Sequence, residues 1–216
     1  MTTTTLGGVA SLASNRNPFN YEKIEQTSRD LSTGWLTLAE ITDQLNLFGD
    51  ESQDAYLSNL ELAVRMFIED YLGMPIFDQS YRIYYGADAL YGSPISLDLP
   101  EVSMNGVTID SVKYYNNATP TVLTTVSTSN YYYDETGNKV IVLALGSDLN
   151  TNMTSPVIVN YTVAPSIISQ YPVIKQAGLL LFTHLYNNRS DTTATSLQKI
   201  PFGVDVLLRP YKPLVM

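Results

Sequence analysis

The spacing of apolar residues changes twice along this chain of 216 residues, and these changes limit the folds that it can adopt. Between residues 38 and 72, apolar residues recur every three or four positions, which is typical of amphipathic helices. From residue 80 to 163 they alternate with polar residues, as in strands with one buried face. The helical spacing returns at residue 172. We therefore predict an α+β fold in which an antiparallel β module is inserted into a small helical bundle.

The first helices carry clear start and stop signals. Thr37-Leu-Ala-Glu40 is a capping box, in which the threonine hydroxyl and the glutamate side chain each bind a backbone N–H of the other residue. This helix is predicted to run to about Leu47 and to end at Phe48-Gly49. Asp50 with Gln53 is a second possible cap.

A second helix follows and should pair with the first as an antiparallel hairpin. Gly73 fits the position just after its last turn, and Pro75 prevents its continuation. The predicted buried stripe of this helix is Leu57, Leu60, Val64, Phe67 and Tyr71.

The C-terminal part is predicted to complete the bundle. Pro172 suits the first turn of a helix that ends near Asn188, and the run Leu179–Phe182 makes this helix apolar nearly all round, so that it should be buried on several sides. Its predicted stripe is Ile174, Ala177, Leu181 and Leu185. A short helical turn is expected at Val204–Leu208, followed by an extended tail.

Six strands are predicted in the β module, separated by turn signals at Asn105-Gly106 and Asp134–Asn138. The strands are Tyr81–Tyr85, Ile95–Leu99, Ile109–Tyr115, Tyr131–Asp134, Val140–Leu145 and Val157–Val163.

The expected organisation has five parts. They are a polar N-terminal arm (1–34) that docks on a neighbour, a helical hairpin (35–75), the inserted β module (76–168), C-terminal helices that complete the bundle (169–208) and an extended C-terminal tail (209–216).

The residue types exclude several chemistries. The chain has no Cys and a single His, His184, so it has no disulfide framework, thiolate metal site or multi-histidine metal site. Asp148, Asn150 and Asn152 resemble the start of a calcium loop, but Met153 and Val159 occupy the positions where such a loop needs Gly and Glu. We predict no catalytic residue, no cofactor, no metal and no enzymatic activity, with His184 as a structural residue.

The charge balance argues against a protein that grips nucleic acid. The chain carries 12 Lys and Arg against 21 Asp and Glu, a net charge of −9. Residues 1–75 hold 11 acids and 4 bases, residues 76–168 hold 8 and 3, and residues 169–216 hold 2 and 5. Tight binding to a phosphate backbone requires clustered Lys and Arg. The chain contains no run of about 18 apolar residues, so no membrane span is predicted. The N-terminus lacks the pattern of a secretory signal.

This order of elements resembles the head–tail connector (adaptor) proteins of tailed bacteriophages. The resemblance covers residues 36–212, and the 34-residue arm is extra to the usual pattern. The segments that carry it are Leu36–Ile41, Gly49–Asp54, Ile95–Pro100, Ile109–Tyr115, Val159–Thr162, Ile174–Arg189 and Ile200–Tyr211. Ala164-Pro165 stands where such proteins often have a glycine turn.

The resemblance implies a structural virion protein of the neck, assembled in the host cytoplasm, with no membrane contact. Such proteins form a ring, usually of twelve copies, that binds the portal and a tail or neck protein and lets double-stranded DNA pass. The residues expected to make contacts are Trp35, Arg189, Arg209, Tyr211, Lys212 and Met216. Deletion of Arg209–Met216 should then leave the fold intact and abolish head–tail joining.

A second interpretation rests on Tyr131-Tyr132-Tyr133, whose rings could stack on sugars. Under this interpretation the chain is a carbohydrate- or host-binding β-module protein of a virion. It predicts an exposed groove of tyrosines and glycan binding by the isolated protein.

Overall fold

The computed structural model describes residues 20–47, 49, 51–100, 106–189 and 202–212. Within these ranges the chain divides into a β unit (20–28, 80–100 and 106–163) and a helical unit (29–79, 164–189 and 202–212). The strands are β1 (Lys23–Arg29), β2 (Gln79–Tyr85), β3 (Ile95–Asp98), β4 (Val107–Tyr115), β5 (Leu123–Thr125), β6 (Tyr131–Asp134), β7 (Lys139–Val142) and β8 (Val157–Val163). The α-helices are α1 (Leu38–Leu45), α2 (Asp54–Leu72), α3 (Pro172–Asn187) and α4 (Phe202–Leu208). The α+β fold class is confirmed.

The β unit contains two sheets. One has five strands in the order β1-β2-β8-β4-β5, and the other has three in the order β3-β7-β6. Strand β8 lies in the middle of the larger sheet, and its Val157, Val159, Tyr161 and Val163 are each at most 2% exposed. The alternation of apolar residues correctly identified this strand, because every second side chain of a strand points to the same face of the sheet.

All six predicted strands are present, with ends shifted by up to three residues. The sequence did not reveal β1 or β5. Strand β1 lies inside the segment that we predicted as a polar arm, and its sequence KIEQTSR has no apolar alternation. It is an edge strand, so its backbone hydrogen bonds to β2 hold it without a buried face. Residues 1–19 lie outside the described part.

The helix ends follow the predicted chemistry. The Glu40 N–H donates to the Thr37 hydroxyl at 3.2 Å, and the Thr37 N–H donates to the Glu40 carboxylate at 2.9 Å, so the capping box is confirmed. Helix α1 ends at Asn46, which adopts the left-handed conformation with φ 57°, slightly before the predicted stop. Gly73 ends α2 in the same conformation with φ 64°, as predicted. Helix α2 begins after Gln53 without a side-chain cap, and Asp50 lies outside the described residues.

The buried face of α2 differs from the predicted stripe. Leu57 and Val64 are buried as expected, but Phe67 is 36% exposed. The observed buried face of α2 includes three charged residues that the predicted stripe did not contain. These are Glu61, Arg65 and Glu69, whose exposed fractions are 1%, 0% and 3%. We call these three residues the buried charge row. Apolar spacing could not indicate them, because charged side chains are rarely buried unless they are paired.

The buried charge row binds backbone groups that have no partner in a helix or sheet. Glu61 Oε1 accepts hydrogen bonds from the N–H groups of Trp35 and Leu36, at 2.9 and 3.1 Å. The Arg65 guanidinium donates to the carbonyl oxygens of Thr33, at 2.5 Å, and Asp30.

Glu69 completes the row at its C-terminal end. Its Oε1 accepts from the Ile76 N–H at 2.8 Å, and its Oε2 accepts from the Arg29 guanidinium at 2.5 and 2.9 Å. The row therefore ties the chain before α1 and the chain after α2 to one helix.

Trp35 packs the segment before α1, which Glu61 and Arg65 bind, against α3. Its indole Nε1–H donates to the Ser169 carbonyl at 3.1 Å, and its ring lies over Gly178. A Cβ on Gly178 would be only 2.7 Å from Trp35 Cζ3. Helix α3 buries Ile174, Ala177 and Leu181 as predicted, together with Phe182. It is not buried all round, since Leu180 is 37% exposed.

The close approach at Gly178 predicts a loss of stability in Gly178→Ala. Crowding in a packed core costs roughly 1–3 kcal/mol, whereas replacing a helical glycine by alanine gains about 1 kcal/mol. Because the tryptophan ring has to move, we expect the crowding to exceed the gain and the Tm to fall by about 2–4 °C. Thermal unfolding by circular dichroism measures this.

Gly203→Ala is the matched control, because a Cβ on Gly203, near the start of α4, meets no atom of the described residues within 4 Å. This variant should keep or raise the Tm. Equal stabilisation by both substitutions would contradict the packing of Trp35 on Gly178.

Candidate interaction surface

The six residues predicted to make contacts are placed in very different environments. Trp35 is 8% exposed and packs inside its own helical unit, so its side chain is a core residue here. Arg189, Arg209 and Lys212 are exposed, and Tyr211 is half-buried. Met216 lies outside the described residues. The structure therefore leaves the three cations exposed, with Arg189 at the start of α2 and Lys212 near its end, and places the tryptophan in the interior.

Arg189 lies in a cage of two tyrosines from different helices, which we call the Arg189 clamp. Its guanidinium carbon is 4.5 Å from the ring centres of both Tyr56 and Tyr186. Its Nη2 donates to Gln53 Oε1 at 2.8 Å, and the Tyr186 hydroxyl donates to the same oxygen at 3.1 Å. The clamp joins the start of α2 to the end of α3 while the cation stays exposed.

Only one partner in the clamp could be anticipated from the sequence. Tyr186 precedes Arg189 by only three residues, and the Arg189 Nε donates to the Tyr186 carbonyl at 3.3 Å just after the end of α3, so this contact is local in the chain. Gln53 and Tyr56 come from a helix more than 100 residues earlier, and no local pattern reveals that contact.

The start of the C-terminal tail is folded onto the helical unit. Arg209–Tyr211 form a 3₁₀ turn, so the predicted extended conformation is wrong for these residues. Pro210 favours this turn because its fixed φ suits the first turn of a helix. The Tyr211 ring meets Tyr171 edge to face, with ring centres 5.8 Å apart.

Lys212, the next residue, packs against α2. Its ammonium nitrogen lies 4.8 Å from the centre of the Tyr71 ring, and the Tyr71 hydroxyl donates to the Asp205 carboxylate at 2.6 Å. That hydrogen bond raises the pKa of Tyr71, so the phenol stays neutral. Tyr211 and Lys212 thus hold the tail start in place, and Arg209 projects from it. Deletion of Arg209–Met216 would remove the packing of Tyr211 and Lys212 together with the exposed Arg209, so single substitutions separate the two effects better.

Chemistry-bearing residues do not converge elsewhere in the described ranges. No group of three or more His, Asp or Glu side chains there could hold a metal ion, and no described helix is long and apolar enough to cross a membrane. His184 is half-buried on α3. Tyr131 and Tyr133 pack against the β core, while Tyr132 between them is 52% exposed.

The clamp geometry predicts that Arg189→Lys destabilises the helical unit although it keeps the charge. A lysine cannot stack a flat group between two rings or bond Gln53 in the same geometry. Two exposed cation–π contacts are worth about 0.5–1 kcal/mol each, so we expect a loss of about 1 kcal/mol in chemical denaturation. A double-mutant cycle with Tyr56→Leu should give a coupling of about 0.5–1 kcal/mol. Strict additivity of the two substitutions would show that the ring contact contributes nothing.

Comparison with known proteins supports the fold. No protein-family profile and no curated protein sequence matches the chain. Among solved structures, the chain is similar to one in the neck of an empty gene transfer agent particle computed with C6 symmetry, with TM-score 0.61 and 22% identity. It is also similar to chains of the virion of the native particle, with TM-score 0.55 and 20% identity, and of the native neck computed with C12 symmetry, with TM-score 0.54 and 21% identity.

Each match covers 90% of this chain and 97% of the other. At these identities the comparison establishes the fold. The resemblance to connector proteins is thus confirmed as a likeness of fold to virion neck proteins of phage-like particles.

Proposed function

We propose that this chain is a head–tail adaptor, a structural protein that forms a ring between the portal and the tail and lets DNA pass through the lumen. The observation that carries the proposal is the match to neck chains over nearly their whole length. Nearly complete coverage of both chains means that the helical unit and the β unit occur together in those neck proteins. The proposed location is the virion neck, after assembly in the host cytoplasm.

Ring formation is supported by the symmetry of the similar particles. Their necks were computed with C6 and C12 symmetry. A closed ring needs two different, complementary faces on every copy. The acidic first 75 residues and the basic last 48 residues of this chain supply opposite charges for such faces. Twelve copies are the proposed number.

Passage of DNA is supported by the charge of the chain. A net charge of −9 repels a phosphate backbone, so a wall of this protein would not hold a passing duplex. The proposed role is non-enzymatic. The buried charges of the helical unit bind backbone groups or Arg29, apart from one oxygen of Glu61, and so do not converge on a site for catalysis.

Contacts to the portal and to a tail or neck protein are proposed for the exposed cations Arg189, Arg209 and Lys212. An exposed cation on an acidic protein is a natural contact for an acidic partner, and such contacts affect association more than folding. Arg209 is the best single position for a test, because it projects from an ordered turn.

The alternative role in carbohydrate binding is less well supported. It requires several neighbouring exposed tyrosines, but Tyr131 and Tyr133 pack against the β core. Tyr132 alone among the three offers a largely open ring.

The adaptor proposal predicts that Arg209→Glu lowers the fraction of particles that acquire tails. The variant is supplied in place of the parent chain in a particle-producing strain that lacks its own copy, and tailed and tailless particles are counted by negative-stain electron microscopy. The physical reason is charge repulsion at the contact between proteins.

Arg82→Glu is the matched control, because Arg82 is an exposed cation of the β unit that undergoes the same charge change. Both variants should unfold within about 2 °C of the parent. Normal tailing with Arg209→Glu would reject this residue as a contact. Normal tailing in the absence of the whole chain would reject the adaptor function.

A further inference from the structure

The helical unit contains a small cavity between the segment before α1 and the helices α1 and α2. Its volume is about 310 Å³. The hydroxyl-bearing residues Ser32 and Ser58 line it, together with the apolar residues Leu38, Ile41 and Leu62. Glu61 of the buried charge row is also part of the lining. The cavity thus combines an apolar wall, hydroxyl groups and one carboxylate.

One oxygen of Glu61 is left without a partner. Oε1 accepts two backbone N–H groups, as described above, whereas Oε2 makes no hydrogen bond within the described part of the chain. The residue is 1% exposed. A buried carboxylate oxygen without a hydrogen bond is costly, more so when it carries charge. A donor that reached Oε2 would therefore bind favourably.

Gly34 lies beside this oxygen and leaves room there that a side chain would fill. It also lines the cavity, and a Cβ on it would be 3.6 Å from Oε2 and 3.3 Å from the Leu36 carbonyl oxygen. Any larger residue at position 34 would occupy the space beside the carboxylate.

The geometry of Glu61 selects the kind of donor. A guanidinium prefers to bind both oxygens of a carboxylate at once, but Oε1 is already occupied. Calcium and magnesium need about six oxygen ligands, and this cavity offers a single carboxylate. An ammonium group is a compact charge with three donors, which can bond Oε2 and nearby hydroxyls, and an alkyl stem suits the apolar wall.

Electrostatics favour the same ligand. Burial raises the pKa of Glu61, although the hydrogen bonds from Leu36 and Trp35 and the charge of Arg65 act in the opposite direction. A cation beside Oε2 would stabilise the ionised carboxylate and lower this pKa again.

We propose that the Glu61 cavity binds an alkylammonium group, either the side chain of a lysine from a neighbouring protein molecule or a free primary amine. This site adds to the proposed function and does not depend on it.

The probe is n-butylammonium chloride, titrated into the full chain and followed by the ¹⁵N–¹H NMR shifts of Trp35 and Leu36. These two amides donate to Glu61 and so report on its carboxylate directly. We expect saturable shifts. Sodium chloride at equal ionic strength and 1-butanol, which has the same stem without the charge, should produce none.

Two variants test the site. Glu61→Gln keeps one oxygen for the two backbone N–H groups and replaces the other by an amide, so butylammonium should bind at least about tenfold more weakly. Ser58→Leu fills the cavity from an exposed position on α2 and should block binding while the fold is preserved. It keeps the test valid if Glu61→Gln does not fold.

Absence of a saturable shift in the parent chain would overturn the proposal, and so would an equal response to 1-butanol or unchanged binding by both variants. Such results would leave the cavity as a site for water only.

If butylammonium binds, light scattering identifies the source of the amine. Weaker self-association of Ser58→Leu supports a lysine of a second copy, and unchanged self-association overturns that source.

Discussion

The buried charge row of α2 is the constraint on which the helical unit depends. Glu61, Arg65 and Glu69 are spaced four residues apart, so they lie along one face of the helix. They bind the irregular backbone on either side of the helical hairpin, at residues 30–36 and 76–77. Backbone groups in such segments would otherwise be buried without partners. Arg29, whose side chain is 11% exposed, pairs with the carboxylate of Glu69, so that a partly buried cation balances the second buried carboxylate.

This arrangement has a consequence for packing. Because Glu61 and Arg65 fix the backbone around Trp35, the indole ring reaches α3 at Gly178 and bonds the Ser169 carbonyl. The helices α2 and α3 then meet again at the Arg189 clamp. Breaking a buried charge pair on one side costs about 3–5 kcal/mol, so the row contributes to specifying one arrangement of the connecting segments. In an adaptor ring, such a rigid unit would hold the exposed cations at fixed positions.

The regular elements could be predicted from the sequence because their causes are local. The capping box at Thr37, the stop at Gly73 and the alternation in β8 each depend on residues within a few positions. Strand β1 was missed because an edge strand held by its neighbour needs no pattern of its own.

The environments of the residues predicted to make contacts were harder to predict, because those environments depend on residues that are distant in the chain. Trp35 was predicted to make contacts with other molecules, but it packs inside the helical unit, and its partners Ser169 and Gly178 lie more than 130 residues away in the chain. The buried charges of α2 could not be anticipated, because a sequence cannot show which irregular backbone will meet them. The exposed positions of Arg189, Arg209 and Lys212 agree with their polar character.

We infer that carboxylates of α2 hold the backbone of irregular segments as firmly as a helix holds its own backbone. Amide hydrogen exchange of Trp35, Leu36 and Ile76, followed residue by residue by NMR, tests this most directly. The N–H groups of these residues lie outside helices and strands and donate to Glu61 and Glu69. We expect these three amides to exchange as slowly as amides in the middle of α2. Exchange at the rate of an open loop would contradict it.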